Sequence, residues 1–150
     1  MSIADVFRCS HLLGMIPVIC LNILLIALAI SDYRKRTVST AMVMLTNVMS
    51  TGMLLSEVIV GKESLAEHFI AILPGLFFCA YSHIRPEEAG NADGLVMICI
   101  AEISRPSSYF VTMALTAFFT LICGFASSKK QVKLPFISIL VGAYLICGRL

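Results

Sequence analysis

Six apolar segments, separated by loops of only a few polar residues, set the first limit on what this chain can become. They run from Leu12 to Ile30, Val38 to Val60, Phe69 to Ile84, Gly94 to Ile103, Tyr109 to Ala126 and Leu134 to Cys147. A helix that crosses a bilayer takes about 20 apolar residues. The first, second and fifth segments meet that length alone. The third and sixth meet it if flanking residues join the helix, and the fourth is either a short span or a helix that begins inside the protein. Backbone in lipid has to satisfy its own hydrogen bonds, and no repeated ten-residue alternation of the kind that builds barrels is present. The segments are therefore expected as helices. Composition agrees: 59% of the 150 residues are hydrophobic and 13% charged. A soluble domain of this size leaves much of its surface in water and could not hide so much apolar area. The expectation is an all-α membrane protein, a polytopic bundle of about six transmembrane helices forming one membrane-embedded domain over residues 1–150, with the lipid bilayer as its partner.

The first segment imitates a signal peptide, with Ala27-Leu28-Ala29 resembling a cleavage site. The apolar run is longer than such a region, further spans follow, and Arg34-Lys35-Arg36 comes directly after it, so it is read as a retained helix. Basic residues set orientation. Loops one, three and five carry seven of them (Arg34, Lys35, Arg36, Arg85, Lys129, Lys130 and Lys133), and the other side carries four (Arg8, Lys62, Arg105 and Arg149). Those three loops are expected in the cytoplasm and both termini outside. A net charge of +2 gives no reason to expect nucleic acid. The six cysteines are scattered without a C-x-x-C pair and the three histidines are dispersed, so no metal ligand set or cofactor is expected. The cysteines are read as small core residues and the histidines as interface residues.

Two acids stand out by position. Asp32 ends the first segment just before the basic loop, and Asp93 opens the fourth, with Gly90 and Gly94 bracketing it. The orientation above puts both on one membrane face. A carboxylate beside apolar helices is costly to ionise unless it is paired. Two neighbouring carboxyls that share a proton are a known solution to peptide hydrolysis, one acting as base on water and the other as acid. Read by itself, each aspartate also fits an ordinary helix end, since Asp is a favoured N-cap. Helix dipoles disfavour an anion at Asp32 and favour one at Asp93, so the shared proton is expected on Asp32 unless Arg34 stabilises its anion.

The residues around both acids resemble a family. Ser31-Asp32-Tyr33-Arg34-Lys35-Arg36-Thr37-Val38 is similar to the D-x-R-x-x-x-[IV] segment of type IV prepilin peptidases. Gly90-Asn91-Ala92-Asp93 resembles their G-x-G-D motif, and Lys133 to Leu140 resembles the Pro-Phe-containing start of their last helix. The order and spacing agree from about Leu12 onward. The resemblance implies a membrane aspartic endopeptidase of the bacterial inner membrane, with Asp32 and Asp93 catalytic. It would remove a short basic leader from prepilins or pseudopilins at the cytoplasmic face. Ala92 stands where the motif has its second glycine, Leu95 where a lysine is common, and Ser39-Thr40 where Pro-Asn often follows. The loop with paired C-x-x-C motifs that accompanies pilin N-methylation is missing, so that activity is not expected.

Supporting roles follow more weakly. Glu87 and Glu88 offer a basic leader a negative landing point. Arg34, Gly90 and Asn47 are further candidates for substrate contact or support, and Asn47, Ser50 and Thr51 either line a cleft or hold helices together. Glu57 and Glu102 are expected to snorkel at the outward helix ends, and Pro74-Gly75 to mark a kink. Two other function classes remain: an inactive membrane component that binds pilin helices or an assembly platform, and a small transporter. The transporter would place acids near the bilayer midplane and show a repeat.

Overall fold

The computed structural model describes residues 3–61, 64–85, 90–126 and 135–147, and no strand occurs among them. Six helices follow in order: α1 (Ile3–Lys35), α2 (Thr40–Ile59), α3 (Leu65–Ile84), α4 (Asn91–Ile103), α5 (Pro106–Ala126) and α6 (Phe136–Cys147). Within them, Met15–Lys35, Thr40–Ile59, Leu65–Ile84 and Pro106–Cys123 are long and apolar enough to cross a membrane. The third segment does recruit its flank, starting after Ser64 in an extended N-cap conformation. Proline at the first position of α5 suits a place where no intrahelical N–H bond is available. Helix α4 has 13 residues, about 20 Å of rise, and α6 has 12, about 18 Å. Both are too short to cross the hydrocarbon alone.

The bundle is built around α4. This short helix touches α2, α3, α5 and α6, while α1 packs between α2 and α6. Val96, Met97, Cys99, Ile100 and Ala101 of α4 are buried, together with Leu21, Leu25 and Leu28 of α1 and Ile137, Leu140 and Val141 of α6. The outside carries the bulkier apolar load: Ile23, Ile30, Val48, Phe69, Phe77, Phe118 and Phe125 are all exposed. The inside holds Asp32, Thr46, Ser50, His68, Glu102, Thr112 and Thr116. A water-soluble bundle has the opposite distribution. Many of these inner hydroxyls bond to their own helix: Thr46 to Met42 O and Val43 O, Thr112 to Ser108 O, and Thr116 to Thr112 O. That is the usual way for threonine to be satisfied away from water.

Two glycines bring α3 and α4 into close contact. A Cβ on Gly94 would lie 2.5 Å from Cys79 Sγ and 2.8 Å from Cys79 N, and one on Gly75 would lie 2.7 Å from Ile98 Cγ1. Gly75 therefore serves a close helix approach, while α3 continues through Pro74 from Leu65 to Ile84. Ser82 Oγ completes the seam by donating to Asn91 Oδ1 at 2.5 Å. His68 departs from the interface position expected for it. It is buried, with Nδ1 3.1 Å from Ala101 O, because α4 covers that face of α3. Of the described cysteines, Cys99 and Cys147 are core residues as expected, whereas Cys20 and Cys123 are exposed on the apolar surface.

Candidate functional site

Asp32 lies one turn before the end of α1, on the side that faces α6. Only 9% of it is exposed. Its Oδ2 accepts a hydrogen bond from Ser138 N–H at 3.2 Å. Ser138 is the third residue of α6, and the first intrahelical bond there is Ile139 N–H to Pro135 O. Asp32 thus receives one of the N–H groups that a helix start leaves unbonded. The Ser138 hydroxyl donates to Ala29 O at 2.7 Å and stands 3.4 Å from Asp32 Oδ2, so its single hydrogen belongs to the carbonyl. The chain then leaves α1 through Arg36, which has a positive φ of 54°. Ser31 Oγ, donating to Thr37 O at 3.1 Å, fastens this exit.

Asp93 is the third residue of α4 and is half-buried. Its Oδ2 accepts from Gly90 N–H at 3.3 Å, and its own N–H donates to Gly90 O at 3.1 Å. Gly90 has φ −88° and ψ 137°, an ordinary extended conformation, so no unusual turn is needed. Its lack of a side chain matters for proximity instead: a Cβ there would stand 3.3 Å from Asp93 Oδ2. Ala92 sits inside the helix without a positive φ, a conformation that alanine adopts without strain.

Both carboxyls stand at the same end of the bundle, at the close of α1 and the opening of α4. Burial pushes the Asp93 carboxyl up to about 6; the Gly90 N–H works against that rise, and the Asp32 carboxylate adds to it. The rise favours a proton on Asp93, whereas the helix-dipole argument expected it on Asp32. The expectation weighed the dipole of α1 at Asp32, but α6 presents its own N-terminus to the same carboxyl. Arg34 is exposed. With Tyr33 it borders an apolar groove of about 460 Å³ between α1 and α6, whose walls include Ala29, Ile30, Ser138 and Gly142. Ser138 therefore both lines the groove and holds Asp32.

Asn47 is tied to its own helix. Its side-chain amide donates to Val43 O of its own helix at 2.9 Å. Glu87 and Glu88 lie outside the described residues. Sequence patterns do not single out Ser138, although it lies within the third family-like segment.

A second polar cluster, deeper in the bundle, corrects the reading of Glu102. It does not snorkel: it is 7% exposed and bonded across the helix interface to α2. Ser50 Oγ donates to Glu102 Oε2, and Thr51 Oγ1 lies 2.9 Å from Oε1 and 3.2 Å from Oε2. Ser50 and Thr51 are thus tied to α4 rather than to a cleft at the aspartates. The adjacent pair of hydroxyls on α2 is a visible signal in the sequence, but their partner 51 or 52 residues away is not.

No protein-family model, no curated protein and no solved structure matches this chain.

Proposed function

We propose that the chain is a membrane aspartic endopeptidase that removes the short basic leader of prepilins or pseudopilins. What supports the reading most is that Asp32 and Asp93 stand at one end of the bundle, where the charge of Asp32 adds to the rise of the Asp93 carboxyl. Helix α1 delivers the first, the buried central helix delivers the second, and α6 donates a backbone N–H to Asp32.

In this reading Asp32 is the anion that takes a proton from water, and Asp93 holds the proton that goes to the scissile carbonyl. The groove between α1 and α6 gives an apolar segment a sideways approach to Ser138, whose N–H bonds Asp32. The basic loops and the resemblance in sequence both favour a location of this end in the cytoplasm, at a bacterial inner membrane.

The test is leader cleavage in membranes, with candidate prepilins of the same genome co-expressed beside the chain and its Asp32→Asn and Asp93→Asn forms. Mature subunits are identified by gel mobility and N-terminal sequencing. The proposal expects each substitution to abolish cleavage at unchanged protein level. Cleavage indifferent to both moves the reading to a membrane component that binds such helices without cutting them.

A further inference from the structure

The groove between α1 and α6 has a direction. On α1 it runs from Ile26 to Tyr33 and Arg34 at the aspartate end, eight residues and about 12 Å along the axis. Helix α6 runs the opposite way, because its start meets the end of α1 at Asp32, and this puts Leu145 toward the Ile26 end. Val141 is buried at the floor, while Ile26, Ile30 and Leu145 stay exposed at the rims. Gly142 keeps the middle open, since a Cβ there would meet nothing within 4 Å. The volume of about 460 Å³ falls in the range of about 300–1,000 Å³ usual for small-molecule sites. Walls this apolar, on a side of the bundle that faces lipid, are filled by hydrocarbon rather than water.

The aspartate end of the groove is charged. Arg34 is exposed and makes no hydrogen bond or ion pair with the described residues. Asp32, the nearest acid in the sequence, is turned inward to Ser138. Lys35 and Arg36 follow directly, and a basic cluster next to a membrane helix attracts anionic lipid. Tyr33 is of the type that settles at headgroup level. A guanidinium also matches a phosphate with two parallel hydrogen bonds. An apolar peptide segment alone would fill the groove but leave this cation unmatched. A zwitterionic lipid would bring a second cation beside it.

We propose that the groove is a binding site for one anionic phospholipid, with its phosphate on Arg34 and one acyl chain lying between α1 and α6 toward Leu145. The site does not rest on the cleavage reading. An apolar segment entering the same groove displaces the acyl chain, so the lipid belongs to the resting protein.

The experiment uses the full chain purified in detergent, with phosphatidylglycerol or phosphatidylcholine of the same acyl chains added in steps. Native mass spectrometry counts the lipid retained. Thermal unfolding is followed alongside, because a ligand that binds only the folded state raises Tm with its concentration. The expected result is one phosphatidylglycerol per chain and a saturable rise in Tm, at a concentration several-fold lower than for phosphatidylcholine. Arg34→Gln removes this preference, and Lys35→Gln, which does not line the groove, keeps it. Gly142→Leu, with room for its side chain to extend into the groove, abolishes retention of both lipids while its Tm in detergent alone holds. Equal affinity for the two lipids overturns the proposal, as does one lipid per chain in Gly142→Leu or equal loss of preference in Lys35→Gln. An equal rise in Tm with glycerol phosphate overturns the lipid as source of the phosphate. A Tm that rises with protein concentration instead of lipid puts a second copy in the groove and overturns the proposal as well. Asp93→Asn, which abolishes cleavage in the proposed function, leaves lipid retention unchanged, so failure of either idea is visible separately.

Discussion

Asp93 carries the clearest electrostatic signature of the aspartate pair, and its consequences can be worked out in sign. Its folded value, about 6, lies above the ordinary 3.8, mainly because burial disfavours the anion. The protonated form therefore stabilises the fold fully below about pH 4, and this contribution is lost as pH rises toward and through about 6. The loss amounts to about 3 kcal/mol. Asp93→Asn removes the buried charge, so thermal unfolding in detergent should show a variant more stable than the parent at pH 7, with the difference vanishing near pH 4. The same group sets an activity limit. If Asp93 must hold the proton, kcat/KM for leader cleavage falls about tenfold per pH unit above about 6. A profile that rises through this window would exchange the roles of the two aspartates.

At the scale of elements, the seam between α3 and α4 governs where Asp93 stands. Gly94→Ala drives a methyl group into Cys79 and the backbone of α3, with no flexible end to yield. Overpacking of this kind costs about 1–3 kcal/mol and would move the adjacent aspartate, so both Tm and cleavage should fall. At Gly52 on α2 an added methyl group would meet nothing within 4 Å, and Gly52→Ala should be neutral or stabilise by up to about 1 kcal/mol. Unfolding of the two purified variants checks the contrast. Helix number and order are legible from the apolar segments, because lipid demands continuous apolar runs whatever the tertiary fold. The third helix gains its flank as expected. The centrality of α4 is not legible: a short apolar segment reads alike whether it is a weak span or a helix wrapped by neighbours. Likewise, Asp32 is recognisable as a helix-end acid, but its bond to Ser138 joins positions 106 residues apart, which no local pattern reveals.

Among the described residues, large aliphatic and aromatic side chains cover the outside, and hydroxyl, imidazole and carboxyl groups sit within, among buried leucine, isoleucine and valine. Both polar sites depend on those inner groups. Its helix ends also make the proposed orientation testable. Thr37, after α1, and Val60, after α2, lie at opposite ends of the bundle, and Val60 is exposed. In a cysteine-free background, Thr37→Cys should react with a membrane-impermeant maleimide only after the cytoplasmic side is opened, and Val60→Cys should react in intact spheroplasts. The opposite pattern would put the aspartate pair outside and remove the cytoplasmic leader as a substrate. Depth is the property the sequence hides best: Glu102 resembles an interface residue when its distance from the helix end is counted along one segment, whereas α4 stops short within taller neighbours.

The arrangement of α4 has a consequence for how the protein is made. A 13-residue helix ending in a buried carboxylate is a poor candidate for release into lipid by itself, and two of the helices that enclose it, α5 and α6, are synthesised after it. Its insertion is therefore tied to theirs. The Ser138 N–H that Asp32 accepts arrives only with α6, so a nascent chain holding both aspartates still lacks the bond that orients one of them. Maturation of the pair is a late event in biogenesis, completed when the ribosome has already passed the rest of the bundle.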